Sequence, residues 1–322
     1  MSTNPVAAPT SPLMREGREF AVVFAIMLAL IAAAPFVAYP YFVMEAMCFA
    51  LFACAFNLLI GYVGLLSFGH AMFLGSASYV CAHAAKVWGL DPELAILTGV
   101  ACSAVLGLIA GVLSIRSQGI YFAMITVALS QMIYFFCVEA PFTHGEDGIQ
   151  DVPQGHAFGL IDLSQTATLY VFVAAIFLFG FLAVYRTVNS PFGEILKAIR
   201  ENEPRAISLG YRVARYKLAA FVLSAALAGL AGATKAIVVQ NASLTDVGFA
   251  MSGEVVLMTL LGGMGTLYGP VVGAVVVVAM QNYLAQYGQW VTVIQGAVFV
   301  ACVLAFRRGI VGEIGKALKW SI

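Results

Sequence analysis

Charged residues are scarce in this sequence. Lysine and arginine number 16, aspartate and glutamate also number 16, and together they make up 10% of the 322 residues, whereas a soluble domain carries about 25%. Apolar residues make up 62%, too much for so few charges to cover with a water-facing surface. This excludes a soluble globular domain and a disordered chain, and the zero net charge gives no basis for nucleic-acid binding. We predict an all-α integral membrane protein that crosses the lipid many times.

Motifs for metal binding, disulfide cross-linking and covalent catalysis are also missing. The six cysteines lie in apolar stretches without a C-x-x-C pair, so they are interpreted as small buried hydrophobic residues. The sequence contains no G-x-x-x-x-G-K-[ST] phosphate loop, no G-x-S-x-G and no H-E-x-x-H. We therefore expect no enzyme activity, no metal site and no cofactor bound directly to this chain.

Continuous apolar runs divide the chain into about ten segments. A membrane-spanning helix needs about 20 apolar residues, and these runs do not alternate in the manner of β-barrel strands. We predict a transmembrane domain over 20–306, between an N-terminal tail, 1–19, and a C-terminal tail, 307–322. Residues 254–285 are short for two crossings, so eight helices are an alternative to ten. The runs cover 20–38, 41–60, 65–85, 94–115, 120–138, 167–185, 218–239, 255–267, 271–284 and 291–306.

The positions of lysine and arginine predict the orientation, because both are enriched in cytoplasmic loops of membrane proteins. Residues 186–217 hold seven of the 16 basic residues, and the acidic loop 139–166 holds none. With ten crossings and a cytoplasmic N-terminus, the loop 186–217 and the C-terminal tail are cytoplasmic and 139–166 is outside. Lys235 fits this scheme poorly, since it falls near the outer end of its predicted helix.

Two glycine-rich stretches, 61–70 and 262–270, interrupt the apolar runs, one in each half of the chain. In this scheme crossings two to five and seven to ten run in opposite senses, which indicates an inverted-topology 5+5 repeat with discontinuous helices. Backbone groups freed by a broken helix need partners in protein or in a water-lined cavity. The breaks therefore have two interpretations, a substrate path or tight packing of small residues.

The candidate path residues are the polar and glycine positions of these breaks. His70 is ionisable inside an apolar segment, which favours function, although a lone histidine is more often a hydrogen-bonded structural residue. The candidates are Asn57, Gly61, Gly64, Ser67, Gly69, His70, Gly262, Gly263, Gly265 and Thr266.

Residues 186–217 predict short helices outside the membrane. Ser190 is a candidate N-cap with Pro191 at the first helical position, and the apolar residues at 195, 196, 198 and 199 supply an apolar face. Pro204 ends or restarts the helix, and Gly210 stops a second short one. One interpretation is a solvated basic loop. The other, which the amphipathic pattern favours, is a helix that docks into a groove of a cytoplasmic partner protein.

Several stretches together resemble one known family. They are NLLIGYVGLLSFGHA at 57–71, GIYFAMIT at 119–126, SPFGEILKAIRENEPRA at 190–206 followed by LG at 209–210, and LGGMGT at 261–266 with GP at 269–270. In this order they are similar to the M-type permease subunits of ABC importers for branched-chain amino acids.

The resemblance implies a larger machine in a bacterial inner membrane, with both termini of this chain cytoplasmic. The other parts are a homologous second permease, two cytoplasmic ATP-binding subunits that use the ATP, and a periplasmic solute-binding protein. The 190–210 helix would be the coupling helix on an ATPase. The general importer pattern is Glu-Ala-Ala followed by Gly, whereas here Pro204-Arg205-Ala206 follows Glu203 before Gly210. The candidate coupling residues are Glu201, Glu203, Pro204, Arg205 and Gly210.

The implied solutes are leucine, isoleucine and valine, carried by alternating access. Sister subfamilies for urea, short amides and aromatic acids look similar, so these solutes are alternatives. From the residues alone, an ion-coupled secondary amino-acid carrier also fits broken helices and inverted repeats, but it needs a coupling-ion site. A passive channel is the third class.

Overall fold

Helices dominate the chain. The computed structural model describes residues 12–157, 159, 161–288, 290–305 and 309–318, and within these ranges the predicted all-α membrane fold is confirmed. The helices are α1 (Pro12–Val37), α2 (Pro40–Asn57), α3 (Ala71–Lys86), α4 (Pro92–Ser114), α5 (Ile120–Glu139), α6 (Thr166–Val188), α7 (Pro191–Glu201), α8 (Glu203–Ser208), α9 (Val213–Val239), α10 (Phe249–Gly262), α11 (Gly269–Leu284), α12 (Trp290–Ala305) and α13 (Gly309–Leu318).

Five helical stretches of the described chain are long and apolar enough to cross a membrane. One of them, Pro40–Val63, joins α2 to a π-helical continuation, Leu58–Val63. Helices α1, α10, α11 and α12 contribute shorter apolar stretches of 10–17 residues. Ten crossings, or eight, stay a prediction, since α10 and α11 have 14 and 16 residues. The five long stretches are Pro40–Val63, Pro92–Ser114, Ile120–Glu139, Thr166–Val188 and Val213–Val239.

Several observed helix ends differ from the predicted ones; α10, for instance, covers Phe249–Gly262 where 255–267 was predicted. Helix α1 begins at Pro12, inside the predicted polar tail, because proline suits the first helical turn; residues 1–11 of that tail lie outside the described residues. Helix α3 begins at Ala71 and not near 65, because the first glycine-rich break keeps 64–67 non-helical. The predicted C-terminal tail contains α13, and its last four residues lie outside the described chain.

Helix α2 lies at the centre of the bundle. From Ala46 to Asn57 every residue is buried, and α2 packs against α6, α9 and α11. Small residues allow the neighbouring pair α4 and α9 to approach closely. A Cβ atom on Gly111 would lie 2.7 Å from Leu218 Cδ1, and Ser103 Oγ donates to the Ala225 carbonyl at 2.6 Å.

In the described part of the chain, four two-residue strands lie at one end of the bundle. Strand β1 (Ile149–Gln150) pairs antiparallel with β4 (Asn241–Ala242), and β2 (His156–Ala157) pairs with β3 (Ile161–Asp162). The β1–β4 ladder fixes the acidic loop 139–166 against the connection after α9. Helix α9 begins at the other end, beside the end of α4, so the basic loop 186–217 and the acidic loop lie at opposite ends.

Candidate functional site

The first glycine-rich break follows α2. The helix continues through Asn57 into the π-helical segment Leu58–Val63, and Gly64 ends it in the left-handed region at φ +80°. Residues with a side chain rarely adopt this conformation, so glycine is favoured there. π-Helical turns inside longer helices often occur at functional sites.

The second break joins α10 to α11 through residues 263–268. Thr266 Oγ1 donates to the Gly263 carbonyl at 2.8 Å and accepts from the Gly269 amide at 3.1 Å. Gly265 lies in the left-handed region at φ +75°. A Cβ atom on Gly262 would overlap the Gly269 carbonyl, so this glycine permits close contact between the two helices. Thr266 and Gly262 therefore build the turn itself.

Asn57 connects the two breaks. Its Nδ2 donates to the Thr266 carbonyl at 2.9 Å, and its Oδ1 accepts from the Gly265 amide at 2.9 Å. A Cβ atom on Gly61 would lie 2.8 Å from the same amide nitrogen. The two breaks therefore meet at one end of the bundle.

This contact bears on the predicted inverted repeat. In a repeat of that kind the discontinuous helices of the two halves can meet near the membrane midplane. Contact between the breaks therefore neither supports nor contradicts the inverted repeat, which stays a prediction.

The remaining candidates of the first break have packing contacts. A Cβ atom on Gly69 would overlap the Thr126 carbonyl of α5, and the Phe68 amide donates to Thr126 Oγ1 at 3.3 Å. Ser67 is fully buried, and its hydroxyl has no hydrogen-bond partner among the described residues. This part of the break is a close contact between the chain and α5.

His70 is fully buried among aromatic rings. The rings of Phe52, Phe56 and Phe73 have centroids 5.2–5.8 Å from the imidazole. Its Nε2 lies 3.1 Å from Ser224 Oγ, which donates its single proton to the Ala55 carbonyl. Nε2 must therefore carry a proton and donate to Ser224. These contacts match the structural interpretation of His70, and a role in the path stays a prediction.

Arg200 is a site residue that the sequence analysis missed. Its Nη1 donates to the Gly61 carbonyl of the first break. A Cβ atom on Gly64 would lie 3.2 Å from Arg200 Cγ, and one on Gly265 would lie 3.3 Å from Nη1. The available signal was helical spacing, since position 200 follows the buried Gly193 and Leu196 on one face of α7.

An open cavity of about 430 Å³ lies where α7 meets the two breaks. Its lining combines backbone of both breaks with charged side chains of α7. The lining residues are Gly61, Tyr62, Lys197, Arg200, Glu201 and Gly265.

The start of the loop 186–217 folds as predicted. Ser190 Oγ accepts from the Gly193 amide at 3.3 Å, which confirms the N-cap. The apolar face of α7 is covered by the chain's own helices, since Leu196 and Ile199 are buried, while Ala198 is exposed. The argument that this face needs a groove on a partner was therefore wrong.

The second helix of the loop is capped and held to the bundle. Asn202 Oδ1 caps α8 by accepting from the Arg205 amide at 3.0 Å. Glu203 pairs with Lys217, at the start of α9, at 2.8 Å. Glu203 is thus partly engaged inside the chain. The other predicted coupling residues, Glu201, Pro204, Arg205 and Gly210, are exposed.

Three exposed apolar side chains surround Gly210. Ile207, Leu209 and Tyr211 are 57%, 71% and 40% exposed, and we name them the tip patch. Gly210 adopts φ +88° with open space where a Cβ would lie. The exposed apolar surface of this loop is therefore at its tip and not on α7.

Lys235, which fitted the orientation poorly, has a buried partner at the opposite end of the bundle. It forms an ion pair with Asp246, and its ammonium lies 5.1 Å from the centroid of the Phe49 ring. Nearby, Gln281 Nε2 donates to Glu254 at 2.8 Å. Within the described ranges, no group of three or more His, Cys, Asp or Glu side chains is placed to hold a metal ion.

Comparisons with known proteins identify the family. Residues 39–304 match the family model described as branched-chain amino acid transport system / permease component. The chain is 25% identical, over 85% of its length and 70% of the relative's, to the high-affinity branched-chain amino acid transport system permease protein LivM of Escherichia coli, and equally similar to LivM of Salmonella typhimurium.

A third relative carries the name of a different permease protein, LivH. The probable branched-chain amino acid transport permease protein LivH of Methanocaldococcus jannaschii is 25% identical over 79% of this chain and 85% of the relative. No solved structure matches the chain. The family model covers most of the chain, and the chain therefore belongs to the family of permease components of branched-chain amino acid transport systems.

Proposed function

We propose that this chain is one of two permease subunits of an ATP-driven importer, which moves a small solute by alternating access. Family membership and the five long apolar helices support transport across a membrane. The names of the relatives specify branched-chain amino acid transport, so leucine, isoleucine and valine are the proposed solutes. A homologous second permease, two cytoplasmic ATP-binding subunits and a periplasmic solute-binding protein complete the proposed assembly.

The tip patch is the observation that supports an ATPase partner. Large apolar side chains exposed on a loop outside the lipid favour a protein interface, and the patch stands on a base fixed by the Ser190 cap and by the Glu203–Lys217 ion pair. A fixed base transmits movement of a partner into the bundle. Glu201, Pro204, Arg205 and Gly210 flank the patch, and we propose that they contact the same partner.

The segregation of charge supports the proposed orientation. The basic loop and the acidic loop lie at opposite ends of the bundle, and basic loops favour the cytoplasm. We therefore place the loop 186–217 and both termini in the cytoplasm, and the loop 139–166 in the periplasm of a cell with an inner membrane.

We propose that the solute passes the joined breaks at the cytoplasmic end. Asn57, Gly61, Gly64, Gly263, Gly265 and Thr266 form this junction, whereas Ser67, Gly69, His70 and Gly262 support its walls by packing. An ion-coupled carrier would need a free buried carboxylate. The deeply buried carboxylate of the described chain, Asp246, is neutralised by Lys235.

Co-purification and reconstitution test the proposal. The tagged chain, isolated from its native membrane, is expected to bring two ATP-binding subunits. The complex should import radiolabelled leucine into proteoliposomes when ATP is enclosed with the ATPases and the solute-binding protein is supplied outside. Uptake should persist when ionophores collapse the proton and sodium gradients. Uptake by the purified chain alone, or uptake that stops with the gradients while ATP is present, would refute the proposal in favour of a channel or a secondary carrier.

A matched pair of variants tests the tip patch. Leu209→Asp places a charge in the proposed interface and is expected to reduce ATPase recovery more than tenfold, since buried interface anchors contribute about 2 kcal/mol or more. Val87→Asp changes another exposed apolar residue, at the other end of the bundle, and should leave recovery unchanged. Equal recovery with both variants would exclude the tip patch as the docking surface.

A further inference from the structure

The side chain of Arg200 spans three structural elements. Its backbone belongs to α7, its Nη1 donates to the Gly61 carbonyl of the first break, and the same nitrogen lies beside Gly265 of the second break. The aliphatic part of the side chain lies over Gly64, which has no side chain to block it. One residue thus contacts the loop and both breaks.

The contact is made where backbone groups need a partner. Gly61 lies near the C-terminal end of the helical stretch Pro40–Val63, where carbonyls lack the next turn to bond to. The negative end of the helix dipole is also there, so a cation at this position is favourable. An arginine satisfies both requirements, because its guanidinium is always charged and carries several N–H donors.

The two breaks are also bonded to each other. Asn57 bonds the first break to the second through two hydrogen bonds of 2.9 Å, and Gly61 and Gly265 are in backbone contact. A displacement of Arg200 is therefore transmitted to both. Helix α7 packs through Ile199 against Ala206 and Val213, at the base of the loop, and through Leu196 into the main core of the bundle.

We propose that Arg200 is the positioning residue that links movement of the loop 186–217 to the conformation of the joined breaks. The inference rests on the proposed function, because it assumes that an ATPase moves the loop. In this arrangement the ATPase displaces the tip patch, α7 follows, and Arg200 pulls on the Gly61 carbonyl, which changes the contact between the breaks. Arg200 contacts no partner subunit in this scheme and acts only inside the chain.

The test compares ATP hydrolysis with leucine transport in the reconstituted complex. For Arg200→Ala we expect at least a tenfold loss of radiolabelled leucine uptake while ATP hydrolysis stays within twofold of the wild type, so the ATP used per leucine rises. Arg200→Lys keeps the charge and one donor to Gly61 and should recover part of the uptake. Arg116→Ala removes an exposed arginine at the same end of the bundle and should change neither activity.

The outcomes are distinguishable. Normal uptake by Arg200→Ala, or a parallel loss of uptake and hydrolysis in both Arg200 variants, would overturn the inference, because a purely structural role affects both activities. If Arg200→Ala does not assemble, the test rests on the ATP hydrolysed per leucine transported by Arg200→Lys. A ratio equal to that of the wild type overturns the inference. Failure of the proposed function would show itself in the wild-type chain, as absence of ATPases from the purified complex.

Discussion

The buried ion pair between Lys235 and Asp246 allows a quantitative test of the fold. The two side chains are 11% and 2% exposed, so removal of either one leaves a charge that water barely reaches. Breaking a pair of this kind costs about 3–5 kcal/mol, whereas replacing both members with apolar residues is often neutral. We predict a marked loss of stability in each single variant and recovery in the double variant.

The loss of stability should differ between the two single variants. Lys235→Met leaves the more deeply buried Asp246 carboxylate without its cation. Asp246→Asn leaves the Lys235 ammonium, which keeps its contact with the Phe49 ring, an interaction of about 0.5–2 kcal/mol. We therefore expect stability to increase from Lys235→Met through Asp246→Asn to the wild type, with Lys235→Met plus Asp246→Leu close to the wild type.

The assay is thermal unfolding of the detergent-solubilised complex, followed by the loss of the monodisperse peak in size-exclusion chromatography. Lys197→Met is the control, since it breaks an exposed pair with Glu194 of 2.8 Å, and such pairs contribute about 0–1 kcal/mol. The reasoning is refuted if Lys235→Met unfolds at the same temperature as the control, or if the double variant is less stable than both single variants.

Substitutions at three further positions test the site. Asn57→Ala removes two hydrogen bonds and leaves two backbone groups unpaired, at a cost of about 1–3 kcal/mol each. We therefore expect leucine uptake to fall at least fivefold while the chain stays in the membrane. Normal uptake would contradict the link between the breaks. Gly210→Val forces a side chain into the left-handed region, at a cost of about 1–2 kcal/mol. It should reduce ATPase binding more than Gly210→Asn does, because asparagine tolerates that region. Equal binding by the two variants argues against this backbone effect. His70→Phe keeps the aromatic packing and loses one hydrogen bond, so leucine uptake should remain above half of the wild-type value. A loss of uptake at unchanged thermal stability would instead place His70 on the substrate path.

Sequence alone was sufficient for the features that depend on composition and local pattern. The scarcity of charge and the long apolar runs predicted an all-α membrane protein, because a helix satisfies its own backbone in lipid. The Ser190 cap was predictable because capping is decided within one helical turn. The order of the motifs, 57–71 through 270, predicted the family that the comparisons show.

The tertiary structure decided which distant residues meet. Asn57 and Gly265 are 208 positions apart in sequence, and Arg200 lies 139 positions from Gly61, so no local pattern could pair them. The partner of Lys235 was equally hidden, because it depends on how the connection after α9 folds back into the bundle. The apolar face of α7 looked available to a partner in the sequence. Packing of the chain's own helices buries that face and leaves Ile207, Leu209 and Tyr211 exposed, since burial depends on the arrangement of helices that are remote in sequence.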